Sequence, residues 1–185
     1  MHHDYHKYIF NRTKSILGGD LEDSIVAFTD AMENGTHPLH SHLNRGIAYF
    51  KIARFHHAIK DFDIVINENE NHERALFYRG IAKLNLGKYV EAIHDFNRAI
   101  TIKPERGNTY LARGLAHHFL GHTKKADKDI HNDHVLKSVE LGAFMEENIL
   151  SESLFNMTLK FFKSDDAKWE LSLTDNEIQR MDVVQ

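Results

Sequence analysis

The chain has 185 residues, 42% hydrophobic and 27% charged, with a net charge of −4. That composition is ordinary for a globular chain of one or two small domains and offers no basic excess for nucleic acid. There is no cysteine, which excludes disulfides and thiolate metal sites, and no apolar run reaches membrane-spanning length.

Taken in chain order, the opening MHHDYHKYIFNRTK is too polar for a signal peptide, so a cytoplasmic location is expected. The Asn-x-Thr triplets at Asn11, Asn34 and Asn156 then read as chance. The only prolines are Pro38 and Pro104, which leaves room for long helical stretches. From Asn44 onward the chain writes nearly the same passage three times: NRGIAYFKIARFHHAIKDFDIVINENE, then YRGIAKLNLGKYVEAIHDFNRAITIKP, then ARGLAHHFLGHTKKADKDIHNDHVLKS. Each copy starts 34 residues after the last. A frame set at Tyr5, Leu39, Glu73 and Gly107 gives four units, 5–38, 39–72, 73–106 and 107–140, without insertion.

The columns of this frame carry physical meaning. The eighth position holds Arg12, Gly46, Gly80 and Gly114, and the twenty-fourth holds Phe28, Phe62, Phe96 and Ile130. Ala92, Phe96 and Ala99 share one helical face, while Gly80 and Ala82 lie in a second helical stretch over 74–86. Small residues there admit a close neighbour, and Phe96 can fill the space they leave. Gly87 lies between the stretches and suits a helix-ending turn. Each unit is therefore expected to be a helix, a tight turn and a second helix. One such pair cannot bury both apolar faces, but stacked pairs can.

This pattern resembles the tetratricopeptide repeat family, with its 34-residue helix–turn–helix unit, small eighth and twentieth residues, aromatic twenty-fourth and a late proline, here Pro104. The resemblance implies an all-α, right-handed α-solenoid of about four units over residues 5–140. The first unit departs from the pattern at Arg12 and the fourth at Asp133, as terminal repeats often do. Residues 141–185 leave the repeat and are expected to form C-terminal capping helices, or a tail that competes for a binding groove. Leu150, Leu154, Met157 and Phe161 form one stripe there, and Phe155, Leu159 and Phe162 a second, on a helix from about Glu152 to Lys163. SDDAKWELSL reads as a loop and TDNEIQRM as the capping-box start of a short last helix.

Arg45, Arg79 and Arg113 recur in the seventh column, each followed sixteen residues later by Asp61, Asp95 and Asp129. An arginine ladder can bind phosphates or acidic peptides. Arrival with a carboxylate favours charge-assisted pairing between helices instead.

No phosphate loop, HExxH or nucleophile motif is present, so an enzyme is not expected. Fifteen histidines raise the question of metal or pH sensing. Asp127, His131 and His134 fall at i, i+4, i+7 and share one helical face, and His37, His40 and His42 cluster at a unit junction. Two ligands at helical spacing do not make a site, so no metal or other cofactor is expected.

In the family, the first helix of each unit lines a concave surface through positions two, five, nine, twelve and thirteen. Carried over, the resemblance implies a partner groove of Ile9, Ile16, Leu43, Ile47, Phe50, Phe77, Ile81, Leu84, Leu111, Leu115 and His118. It is largely apolar. Family members that clamp acidic C-terminal tails use lysine and asparagine at the fifth, sixth and ninth positions, a pattern nearly absent here. The expected function is protein–protein interaction, as a scaffold or adaptor binding an amphipathic helix or apolar peptide. The alternatives are a homo-oligomeric structural protein and a histidine-dependent metal- or pH-responsive regulator. Neither nucleic acid nor membrane is an expected partner.

Overall fold

A computed structural model describes residues 21–33, 38–139, 141–148 and 151–163. Among these residues all regular structure is helical: α1 (Leu21–Glu33), α2 (Pro38–Lys51), α3 (Phe55–Glu68), α4 (Glu73–Asn85), α5 (Tyr89–Ile102), α6 (Gly107–Phe119), α7 (Thr123–Ile130), α8 (Asp133–Ser138), α9 (Leu141–Asn148) and α10 (Glu152–Lys163). The helices α2/α3, α4/α5 and α6/α7 are the paired helices of the second, third and fourth units, and α1 is the second helix of the first. Each of α1 to α7 packs against the next, and the first helices of neighbouring units also touch, α2 on α4 and α4 on α6. This is the stacked-pair solenoid expected from the repeat. The capping-box helix read at TDNEIQRM and the loop before it lie outside the described residues.

The turns inside the second, third and fourth units are built alike. The Lys88 N–H donates to the Lys83 carbonyl at 2.9 Å, closing the end of α4, and the same bond joins His122 to His117 at 2.9 Å and Arg54 to Tyr49 at 2.8 Å. Such an ending needs one residue in the left-handed region. Gly87 and Gly121 take φ 74°, and Ala53 takes φ 60° in the same column.

Eighth-column glycines let the paired helices meet. A Cβ on Gly46 would lie 2.7 Å from Phe62 Cε1, one on Gly80 2.5 Å from Phe96 Cε1, and one on Gly114 2.6 Å from Ile130 Cγ1. Phe62, Phe96 and Ile130 are fully buried, so those side chains have nowhere to retreat.

The arginine ladder is structural and reaches further than its spacing foretold. Arg79 Nε and Nη2 donate to both oxygens of Asp95 at 2.9 and 2.6 Å, while its Nη1 donates to Asp63 Oδ1, on the preceding unit, at 2.6 Å. Arg45 forks onto Asp61 at 2.9 and 2.8 Å and reaches back to Thr29 Oγ1 at 3.0 Å. Arg113 forks onto Asp129 at 2.7 and 2.6 Å and reaches back to Asn97 Oδ1 at 2.7 Å. Each guanidinium thus joins residues sixteen ahead and sixteen behind. Fixed planar forks suit this three-point link. The hydrogen bond that Arg45 donates to Asp61 raises the Arg45 pKa above its ordinary value, against the desolvation that lowers it. At Arg79 burial lowers the value, and the bonds and charges of Asp95 and Asp63 more than reverse that.

The fourth unit ends early. Its second helix stops at Ile130, and Asn132 caps a new helix by accepting from the His134 N–H at 2.9 Å. The helix α8 turns back onto α6. Asp133, out of place in a packed column, is the first residue of α8, where a carboxylate complements the helix dipole. The break also separates the proposed histidine face. His131 Nδ1 lies 3.0 Å from the Asp127 backbone oxygen, whereas the His134 ring stacks on Tyr110 at 6.0 Å. No group of three metal-ligating side chains occurs among the described residues.

Candidate functional site

The lining columns of the second to fourth units are apolar, and little of that surface is open. Leu43, Phe50, Phe77, Ile81, Leu84, Leu111 and Leu115 are buried, while Ile47 and His118 are half-buried. Ile9 and Ile16 lie outside the described residues. The seven buried side chains share one continuous apolar cluster with Phe144, Met145 and Leu154 from α9 and α10.

Part of this burial is internal to the repeats. The Phe77 ring lies 6.4 Å from that of Phe96 and 4.6 Å beneath the Arg106 guanidinium, itself paired with Glu73. Phe50 packs on Phe55 at 5.8 Å and on Tyr78 at 5.6 Å, from the next unit. His118 lies against Phe119 at 5.4 Å, and burial holds its pKa below the usual histidine value, with Asp127 pulling the other way.

The rest of the site is made by two side chains of the thirteenth column. Lys51 ends α2 and donates to the Glu147 carbonyl at 3.2 Å. Asn85 ends α4; its Nδ2 donates to the Asn148 carbonyl at 2.7 Å and to its own Ile81 carbonyl at 3.0 Å. The Ser151 N–H donates back to Asn85 Oδ1 at 2.9 Å. Glu147 and Asn148 close α9, and Ser151 directly precedes α10. Their carbonyls and N–H belong to the helix-end groups that lack partners within a helix. One buried amide, Asn85, therefore finishes two helices at once.

The helix α10 covers the span expected from its apolar stripe, and of the described stripe residues Met157 departs. Leu154 and Thr158 are buried and Phe155 is half-buried, while Met157 is 42% exposed. Lys51 and Asn85 were not singled out from the sequence. Their column holds a lysine, an asparagine and, in the fourth unit, Phe119, so it shows no common chemistry.

Comparison with known proteins agrees with this architecture. Residues 73–106 match the tetratricopeptide repeat family. No curated protein matches the chain. Among solved structures, the second TPR of Spaghetti (RPAP3), bound to the HSP90 peptide SRMEEVD, is 28% identical with a TM-score of 0.51, covering 58% of this chain and 96% of that one. MamA, residue 41 to the end, from Desulfovibrio magneticus RS-1 is 19% identical with a TM-score of 0.62, over 89% of this chain and 98% of that one. A tetratricopeptide repeat protein from Parabacteroides merdae ATCC 43184 is 16% identical with a TM-score of 0.60, over 88% and 68% respectively. Stacked helix pairs locked by eighth-column glycines give the chain the helical solenoid fold of these tetratricopeptide repeat structures, and residues 73–106 match the repeat itself.

Proposed function

We propose that the chain is a non-catalytic protein–protein interaction module. Residues 5–140 form its repeat domain, and the concave face takes an amphipathic helix or apolar peptide from a partner. The observation that supports this most is the way the chain's own residues 144–154 are held. Phe144, Met145 and Leu154 join the apolar cluster of the lining columns, while Lys51 and Asn85 hydrogen-bond to the backbone of Glu147, Asn148 and Ser151. Apolar burial with main-chain hydrogen bonds is how a groove receives a helix or peptide.

The peptide bound by the RPAP3 domain carries two glutamates and an aspartate. Here Leu43, Ile47, Phe77, Ile81, Leu111 and Leu115 occupy the fifth and ninth columns, so an apolar ligand is the better complement. No described helix is long and apolar enough to cross a membrane.

The test uses Ile47, half-buried and so replaceable without emptying the core. A partner captured by the parent chain should be lost by Ile47→Glu and should stay bound as salt rises from about 0.1 to about 1 M, since apolar contacts are not screened. A partner that ignores Ile47→Glu, or that salt elutes, overturns the apolar groove.

A further inference from the structure

Residues 141–163 do more than illustrate a ligand. We propose that they are an autoinhibitory strap, occupying the concave face within the same molecule, and that a partner binds by displacing it. This rests on the groove reading above and adds its regulation. Three observations carry it.

First, the hydrogen bonds from Lys51 and Asn85 reach main-chain groups of the strap, beside the apolar contacts of Phe144, Met145 and Leu154. Lys51 takes the Glu147 carbonyl, and Asn85 takes the Asn148 carbonyl and the Ser151 N–H. Any segment that brings a carbonyl and an N–H to Asn85 meets the same donors and acceptor. Second, the strap cannot hold its shape alone. The helices α9 and α10 have 8 and 12 residues, at or below the length at which an isolated helix is marginal in water. Their facing ends are completed by a side chain of the third unit, so leaving the groove unpairs them and the two helices melt together. Third, the contact is not optimised. Thr158 is fully buried on the same face of α10 as Leu154, and its hydroxyl has no hydrogen-bond partner among the described residues. A buried unpaired hydroxyl weakens the contact that contains it. Among the described residues, neither α9 nor α10 packs along a repeat helix as closely as the repeat helices pack on one another. Tethering supplies a high effective concentration that holds so modest a contact closed until a better ligand arrives.

The experiment uses the full-length chain and a fluorescent synthetic peptide of residues 141–163, followed by polarisation. The parent, already closed, should bind the peptide weakly. Leu154→Asp in the tethered strap should bind it at least about tenfold more tightly, because the strap is loosened while every groove residue stays native. Thr158→Val fills the same volume without the hydroxyl, so it should tighten closure and bind the peptide at least about threefold more weakly. Equal binding by the parent and Leu154→Asp overturns autoinhibition but keeps the groove. Binding by none of the three overturns the groove reading, and the strap with it. Where circular dichroism shows that Leu154→Asp has lost its repeat helices, Thr158→Val decides alone: unchanged or stronger peptide binding overturns the proposal.

Discussion

Ala53 holds the left-handed conformation, φ 60°, that Gly87 and Gly121 adopt freely at the matching turns. An L-residue pays about 1–2 kcal/mol there, and glycine returns part of that as greater freedom in the unfolded chain. Ala53→Gly should therefore stabilise the protein by up to about 1 kcal/mol, read as a higher urea midpoint with an unchanged slope. Gly80 gives the opposite sign. Gly80→Ala in an exposed helix would gain about 1 kcal/mol of propensity. Here the new Cβ would stand 2.5, 2.9 and 3.0 Å from three carbons of the buried Phe96 ring. Overpacking should win and cost about 1–3 kcal/mol, and a variant melting at or above the parent temperature would show that the helices have room to part.

Between elements, the arginine links decide how firmly one unit holds the next. Asp95 is fully buried and is held by Arg79 together with Lys83 Nζ at 2.7 Å. Arg79→Ala leaves it a single cation and should cost about 2–4 kcal/mol. Arg79→Lys should recover only part of the loss, since an ammonium cannot fork onto Asp95 and also reach Asp63. Because the missing arm joins two units, the urea transition should broaden as they uncouple. An unchanged midpoint would reduce the ladder to a surface ornament. The Arg and Asp columns were visible in the sequence because each repeats one residue type. The third arm was not: its acceptors are Thr29, Asp63 and Asn97, which share only an oxygen in the right place. For the same reason the glycine–aromatic lock and the helix pairs were legible, whereas α9 and the Asn85 clamp, each occurring once, were hidden. Apolar lining columns also read alike whether water or another helix lies over them. Phe50, Ile81 and Leu84 share their apolar cluster with Phe144, Met145 and Leu154, from a segment that follows no repeat.

Across the whole molecule, the histidines tie stability to pH. Burial lowers the pKa of His117, aided by Lys125, Arg113 and His122 and opposed by Asp129; burial likewise lowers His118. His117 Nδ1 also lies 3.3 Å from His122 Nδ1, a contact that works only while at least one ring is neutral. Both shifts favour the neutral form in the folded state. Their stability is thus fully present above the unfolded value of about 6.5 and is lost as pH falls through the lower folded values. The melting temperature should drop between about pH 7.5 and 5.5, and His117→Gln with His118→Gln should flatten that slope. A double variant with the parental slope would move the effect to other groups. The arginine links have another consequence, for how such a chain can change length. Each one measures sixteen residues in both directions, so a single inserted residue inside a unit turns the following helical positions by about 100° and strands a guanidinium. Excising all of residues 73–106 is gentler: Arg113 would still fork onto Asp129 and would meet Asp63 where Asn97 now stands. The array is therefore brittle to small edits and tolerant of large ones, and its natural increment of growth or loss is the whole 34-residue unit.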